Sequence, residues 1–413
     1  MHPPADEATS TRPATAAADA PAPEVAWTDA AGQPQRARWR SLAGHPAPAA
    51  LALADDRMSA DAAYRLIQSG TALLWTGDYP GARHLLQALG RRVDARQRRP
   101  GAQPVLPAQP APEALRAAFL AQRQAQAERA RIQGALLLRF DADHGLPLKR
   151  APDLRAAGLE AHGPVDGPYV QSLRELLGLV GAHEWRKAGV PIAALDGAPI
   201  HAHHGVFSPV RGEYVDLVAR ARLPAAAKPA RVLDLGTGTG VLAAVLARRG
   251  LQVVCSDIAP AALACARENL ERLGLAARAE FRLADGYPKG RFGLVVCNPP
   301  WLPGQPSSGL EGAVYDPDSR LLRAFLTGLR AHLAPQGEGW LILSDLAEHL
   351  GLRSRETLLG WIAEAGLQVL GRLDTRPVHR RASDASDPLH AARSAEITSL
   401  WRLAPAAADA APA

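Results

Sequence analysis

Two short clusters, with Asn298 62 positions after Gly236, carry residues whose types and spacing suit chemistry. The second is Asn298-Pro299-Pro300-Trp301. Two consecutive prolines fix φ and supply no N–H, which leaves a rigid turn with free carbonyl acceptors. A carboxamide oxygen at Asn298 and the Pro299 carbonyl together can accept both hydrogens of a planar NH2 group. Trp301 adds a flat face for a planar group to stack on. The first cluster is Asp234-Leu235-Gly236-Thr237-Gly238-Thr239-Gly240. Glycine at every second position lets a ligand approach the backbone and allows φ values that a Cβ resists.

These residues need elements to hold them. Arg231 to Leu235 reads as a short strand, and Val241 to Arg249 as a helix whose first N–H groups face the glycine turn. The spacing is G-x-G-x-G and lacks the last interval of the dinucleotide fingerprint G-x-G-x-x-G. A second strand, Leu251 to Ser256, ends at Asp257, where a carboxylate suits two ribose hydroxyls. The pattern points to an adenosine-containing cofactor, against the plainer reading of a tight turn in an ordinary α/β sheet. Phe292 to Cys297 is an apolar run of strand length, so Asn298 to Trp301 falls at a strand's carboxyl end. Open α/β sheets bind their ligands there. Taken alone, Asn-Pro-Pro is also a common loop sequence.

Together the two clusters resemble the class I S-adenosylmethionine-dependent methyltransferases, and among them the N-methyltransferases with an Asn/Asp-Pro-Pro-aromatic motif. The resemblance covers roughly residues 200 to 403. It implies S-adenosyl-L-methionine as cofactor, held by Asp234, Gly236, Thr237, Gly238 and Gly240 of the loop, by Asp257 at the ribose with Ile258 beside it in sequence, and by Asp285 near the adenine amino group. It implies Asn298, Pro299, Pro300 and Trp301 as the catalytic clamp on the substrate nitrogen. Trp301 stands where many relatives carry Tyr or Phe, which leaves the acceptor's identity open. In release-factor glutamine methyltransferases a helical N-terminal part, a β-hairpin and a Pro/Arg/Glu loop precede the glycine strand. This chain has a similar order, with Pro209, Arg211 and Glu213 in the comparable loop.

The fold expected is α/β, a doubly wound and mostly parallel seven-stranded sheet (Rossmann-like), behind a mainly helical N-terminal domain. Residues 1–24 and 404–413 are Ala/Pro-rich and read as disordered tails. Residues 48–188 read as a mainly helical substrate-recognition domain, with a Pro/Gln/Ala linker at 100–112, a long exposed helix from Glu113 to Gln133, and a helix from Leu173 that breaks at Gly181. Ala135 to Phe140 suits a short strand. Residues 189–210 read as a β-hairpin connector turning at Asp196-Gly197, and 211–403 as the methyltransferase domain, with Gly304 to Asp318 as a loop beside the clamp.

Composition excludes several classes. The 413 residues suffice for two domains, and the net charge of +6 is mild. Cys255, Cys265 and Cys297 are too few for a disulfide framework or a metal site. His201 and His203 would share a strand face while His204 points away, with no fixed acidic partner, so no metal is expected. No long apolar run or signal pattern appears, which suggests a cytoplasmic protein without a membrane partner. From Arg83 to Arg99 six arginines and one acid give +5 in 17 residues, either a docking surface for phosphates or acidic protein, or a solvated helix end. The function expected is N-methylation of a planar amino or amide nitrogen in a macromolecule, an rRNA base or a protein glutamine. The alternatives are a small-molecule N-methyltransferase, a nicotinamide-dependent oxidoreductase, or a catalytically silent nucleic-acid or protein-binding module.

Overall fold

The computed structural model describes residues 23–97, 110–306, 310–378, 384 and 387–407. Most of both expected tails and of the 100–112 linker lies outside the described residues.

The N-terminal part is helix-rich, but its helices pack on a sheet that the sequence reading did not include. It holds β1 (Glu24–Thr28), β2 (Pro34–Trp39), β3 (Ala50–Ala54), α1 (Ala60–Gln68), β4 (Thr71–Trp75), α2 (Tyr79–Gln97), α3 (Pro112–Gly134), β5 (Leu136–Phe140), α4 (Arg155–His162), β6 (Tyr169–Ser172) and α5 (Leu173–Ala188). Its strands form one six-stranded sheet in the order β1-β2-β6-β5-β4-β3. Its strands β3 (ALALA) and β4 (TALLW) were missed because they are written mostly in helix-favouring alanine and leucine. Tertiary pairing overrides such local preference: β3 and β4 run parallel in register from Ala50↔Thr71 to Ala54↔Trp75. Glu24, placed in the tail by composition, opens β1, and α5 continues through Gly181, a substitution a packed helix tolerates at about 1 kcal/mol.

The connector pairs over only two residues per strand, β7 (Val190–Pro191) with β8 (Pro199–Ile200). Its turn is as the sequence indicates: Asp196 and Gly197 both take positive φ, 55° and 80°. Then come α6 (Glu213–Arg220), β9 (Val232–Leu235), α7 (Val241–Arg248), β10 (Val253–Asp257), α8 (Pro260–Arg272), β11 (Ala279–Leu283), β12 (Phe292–Cys297), α9 (Arg320–His332), β13 (Leu333–Ser344), α10 (Leu346–His349), α11 (Arg355–Glu364), β14 (Leu367–Thr375), α12 (His390–Ala395) and β15 (Thr398–Pro405). These strands make a seven-stranded sheet in the order β11-β10-β9-β12-β13-β15-β14. The pairs from β11 to β13 are parallel, and β15 and β14 close one edge antiparallel. All residues of β9 and β12 are buried, as a strand covered by helices on both faces requires. β15 runs on to Pro405, so Ala404 and Pro405, read as tail from composition, are strand.

The two halves share a core. Leu115, Ala118 and Phe119 of α3 pack with Leu302, Leu346, Ala347, Leu350 and Leu389 of the second half. A polar joint adds to it. Arg186 of α5 reaches Glu160 of α4 at 3.0 Å and Glu268 of α8 at 2.6 Å, and His203 meets the same Glu268 at 2.6 Å.

Candidate functional site

Strand order reverses between β9 and β12, the place where an open α/β sheet leaves a crevice at its carboxyl edge. The register sets Leu235 opposite Cys297, so the turns that follow, from Gly236 and from Asn298, lie side by side. Both open into one cleft of about 1120 Å³. Asp234, Gly236, Thr237, Gly238, Asp257, Ile258, Asp285, Asn298, Pro299, Pro300 and Trp301 all line it.

The glycine turn has a physical reason at each position. Gly236, Gly238 and Gly240 have φ of 74°, 53° and 78°. A Cβ on Gly238 would meet nothing within 4 Å, because it faces the open cleft. One on Gly240 would come within 2.8 Å of Leu270 and 2.9 Å of Ala266 on α8. Thus Gly240, outside the lining, serves the close packing of turn on helix. Asp234 is buried beneath the turn; its Oδ2 accepts from the Thr237 hydroxyl at 2.7 Å and the Ala243 N–H at 3.1 Å. Burial pushes its carboxyl up to about 6, with Asp257 adding to the rise and the two hydrogen bonds opposing it. Asp257 accepts from the Gly238 N–H at 3.0 Å through Oδ2 and from the Ala259 N–H at 2.9 Å through Oδ1. Each oxygen keeps a further lone pair toward the cleft. Ile258 is 57% exposed, an apolar surface left for a flat ring, and Asp285 is exposed at 3.8 Å from Arg320.

At the other turn the Trp301 indole N–H donates to Asn298 Oδ1 at 2.8 Å. That contact fixes which end of the carboxamide carries the oxygen and leaves its second lone pair for a ligand. The indole is itself held: Tyr214 meets it edge-on at 6.4 Å and 89°, and the Arg211 guanidinium lies 5.5 Å from the ring centroid. Arg211 is anchored at 3.1 Å by Glu396, whose other oxygen accepts from Ser344 at 2.7 Å. The Pro/Arg/Glu loop singled out in the sequence therefore buttresses the clamp. Tyr214, not marked as a site residue from sequence, is part of the same support.

Sequence reasoning also missed the facing wall. Read as an exposed helix, α3 instead presents Gln122, Gln126, Arg129 and Gln133 to the cleft, and Arg174 of α5 joins them. The spacing of 4, 3 and 4 puts these polar residues on one helical face, but such a face reads the same whether it meets water or a cleft. The loop after the clamp crosses the cleft as well: Leu302 bridges Tyr315, and Arg123 of α3 stacks on Tyr315 at 4.0 Å while pairing with Glu311 at 2.9 Å.

Other candidates are occupied elsewhere. His201 Nδ1 contacts the Arg186 carbonyl at 2.6 Å, and His203 contacts Glu268. The three cysteines are free and buried, and burial pushes each thiol up, which keeps it from acting as a nucleophile. No helix among the described residues is long and apolar enough to cross a membrane.

The family described as "Methyltransferase small domain" matches residues 197–354, which span the glycine turn and the clamp. A release factor glutamine methyltransferase of Cereibacter sphaeroides is 36% identical over 36% of this chain and 57% of its own length. A ribosomal RNA large subunit methyltransferase G of Streptomyces coelicolor is 34% identical over 40% of this chain and 41% of its own. The chain thus spans about half the length of these two relatives. A release factor glutamine methyltransferase of Xylella fastidiosa is 31% identical over 56% of this chain and 90% of its own length. The chain belongs to the class I S-adenosylmethionine-dependent methyltransferases, the family that these relatives share.

Proposed function

We propose that this protein transfers a methyl group from S-adenosyl-L-methionine to a planar amino or amide nitrogen of a macromolecule, an RNA base or a protein glutamine. The observation that carries the reading is the β9/β12 register, which brings the glycine turn and the Asn-Pro-Pro-Trp turn together in one cleft.

The donor set fits the cofactor. Positive-φ glycines open the backbone, Asp257 offers lone pairs to two vicinal hydroxyls, Ile258 gives a ring an apolar face, and Asp285 accepts from an amino group. When bound, S-adenosylmethionine supplies a methyl on a sulfonium, so that forming the new C–N bond breaks a C–S bond and releases a neutral thioether. Aligning acceptor and donor is then the main task of this chain. Asn298 Oδ1 and the Pro299 carbonyl accept the two N–H bonds of the acceptor group. That draws nitrogen away from planarity and stabilises the positive charge that grows on it, and the methylated nitrogen then sheds one of its two protons to water. Trp301 sets the plane of the acceptor.

The N-terminal sheet domain selects the macromolecule in this reading. Arg83 and Arg91 stand exposed on α2, whereas Arg92 pairs with Asp61 at 2.7 Å; Arg98 and Arg99 lie outside the described residues. This stretch supplies long-range attraction to a phosphate-rich or acidic surface. Titration calorimetry tests the cofactor assignment: one S-adenosylmethionine per chain is expected, with Asp257→Ala weakening it at least about tenfold, the worth of a charge-assisted hydrogen bond. No binding to the wild-type chain would overturn the reading.

A further inference from the structure

The wall that faces the clamp has a composition of its own. Besides Asp234, Asp257 and Asp285, which belong to the cofactor half of the cleft, the only carboxylate among the described lining residues is Glu311. Arginines 123, 129, 174, 211, 320 and 393 line the same space. Several are held from behind: Arg129 by Asp94, Arg393 by Asp387, and Arg211 by Glu396. A guanidinium carries five N–H donors in a fixed fork, so a carboxylate on one edge pins it and leaves donors for a ligand. Arg174, in the first turn of α5, is exposed and has no ion pair or side-chain hydrogen bond among the described residues.

The amides on this wall are arranged differently from a peptide-binding surface. A peptide main chain is usually taken up along a strand edge or in an apolar groove. Here the N-terminal domain contributes to the cleft from α3 and from Arg174 of α5, and no strand edge is among the described lining residues. Side-chain amides at 122 and 126 stand one helical turn apart and offer paired donors and acceptors, which suits base edges. The clamp lies inside the cleft between the two halves, so an acceptor base must leave its stack to reach it, as it does most cheaply from a single strand.

We propose that the cleft between the two halves takes a nucleic-acid single strand, its phosphates on Arg174 and Arg129 and one unstacked base turned across to Asn298 and Trp301. This rests on the methyltransferase reading and specifies its acceptor class. The α3 wall, and not the outer arginines of α2, is then the reader.

The test uses the full chain and fluorescence anisotropy with a labelled, unstructured single-stranded RNA, DNA of the same sequence, and the matching duplex, each over a salt series. Single strand is expected to bind more tightly than duplex, and a preference for RNA or DNA would identify the strand's sugar. Arg174→Ala should lower affinity and reduce the slope of log K against log salt by about 0.7, the value for one single-strand phosphate contact. Arg174→Glu should lower affinity further, while Arg83→Ala and Arg91→Ala on α2 should change it far less. Equal binding by wild type, Arg174→Ala and Arg174→Glu, or tighter binding of duplex, would overturn the proposal. Calorimetry of S-adenosylmethionine on the same variants separates the cases: intact cofactor binding with no Arg174 effect removes the strand and leaves the methyltransferase reading standing.

Discussion

At the scale of single residues, the contact between Trp301 and Asn298 gives the clamp its polarity. An asparagine amide has two ends of almost equal shape, and only a donor such as the indole N–H selects the oxygen. Phenylalanine at 301 keeps an aromatic face but loses that donor. Trp301→Phe should therefore lower kcat by roughly fivefold, the worth of one neutral hydrogen bond of about 1 kcal/mol, with cofactor affinity unchanged by calorimetry. Asp234 gives a pH prediction. Its folded value of about 6 lies above the ordinary 3.8, so its contribution to the stability of the ligand-free protein is full below pH 3.8 and is lost as pH rises through 6. Binding of a cationic cofactor has the opposite sign, because it needs the carboxylate. Below pH 6 a proton must leave, and Kd should rise about tenfold per pH unit. A flat Kd between pH 5 and 7 would show that Asp234 does not face the cofactor's charge.

At the scale of elements, the parts legible in the sequence are those where local signals agree. The glycine turn, Pro260 opening α8, and the wholly apolar β12 each carry a strong local signature, and each stands where it was read. β3 and β4 do not, because alanine and leucine describe a buried strand and a helix equally well; only pairing decides. The cleft face of α3 was equally hidden, since polar residues on a helix look the same whether they meet water or a ligand. Gly293 in β12 shows what the sheet demands of its centre. A Cβ there would stand 1.9 Å from the Ala226 carbonyl oxygen, a backbone atom that cannot turn aside. Gly293→Ala should cost about 3 kcal/mol, the upper end for overpacking, and a thermal melt unchanged from wild type would contradict that packing.

At the scale of the whole molecule, two separate sheets are joined by a shared core and an ionic joint. Glu268 sits at the centre of that joint. Burial raises its carboxyl, but Arg272, His203 and Arg186 outweigh that and hold it down at about 2. With the folded value below the ordinary 4.5, its contribution is full above pH 4.5 and is lost as pH falls toward 2. The melting temperature of Glu268→Gln should thus lie below wild type at pH 7 and converge with it on acidification; parallel curves would show that the joint does not depend on the charge. The most direct measurement for the central claim is methyl transfer itself. Purified protein, radiolabelled S-adenosylmethionine and a lysate from cells lacking this gene should yield a labelled macromolecule, sensitive to nuclease or to protease. Asn298→Ala should reduce that label by roughly 100-fold, the scale seen when one preorganised polar contact is removed from a reacting centre, while still binding the cofactor. Undiminished labelling by Asn298→Ala, or label only in a small-molecule fraction, would contradict the account.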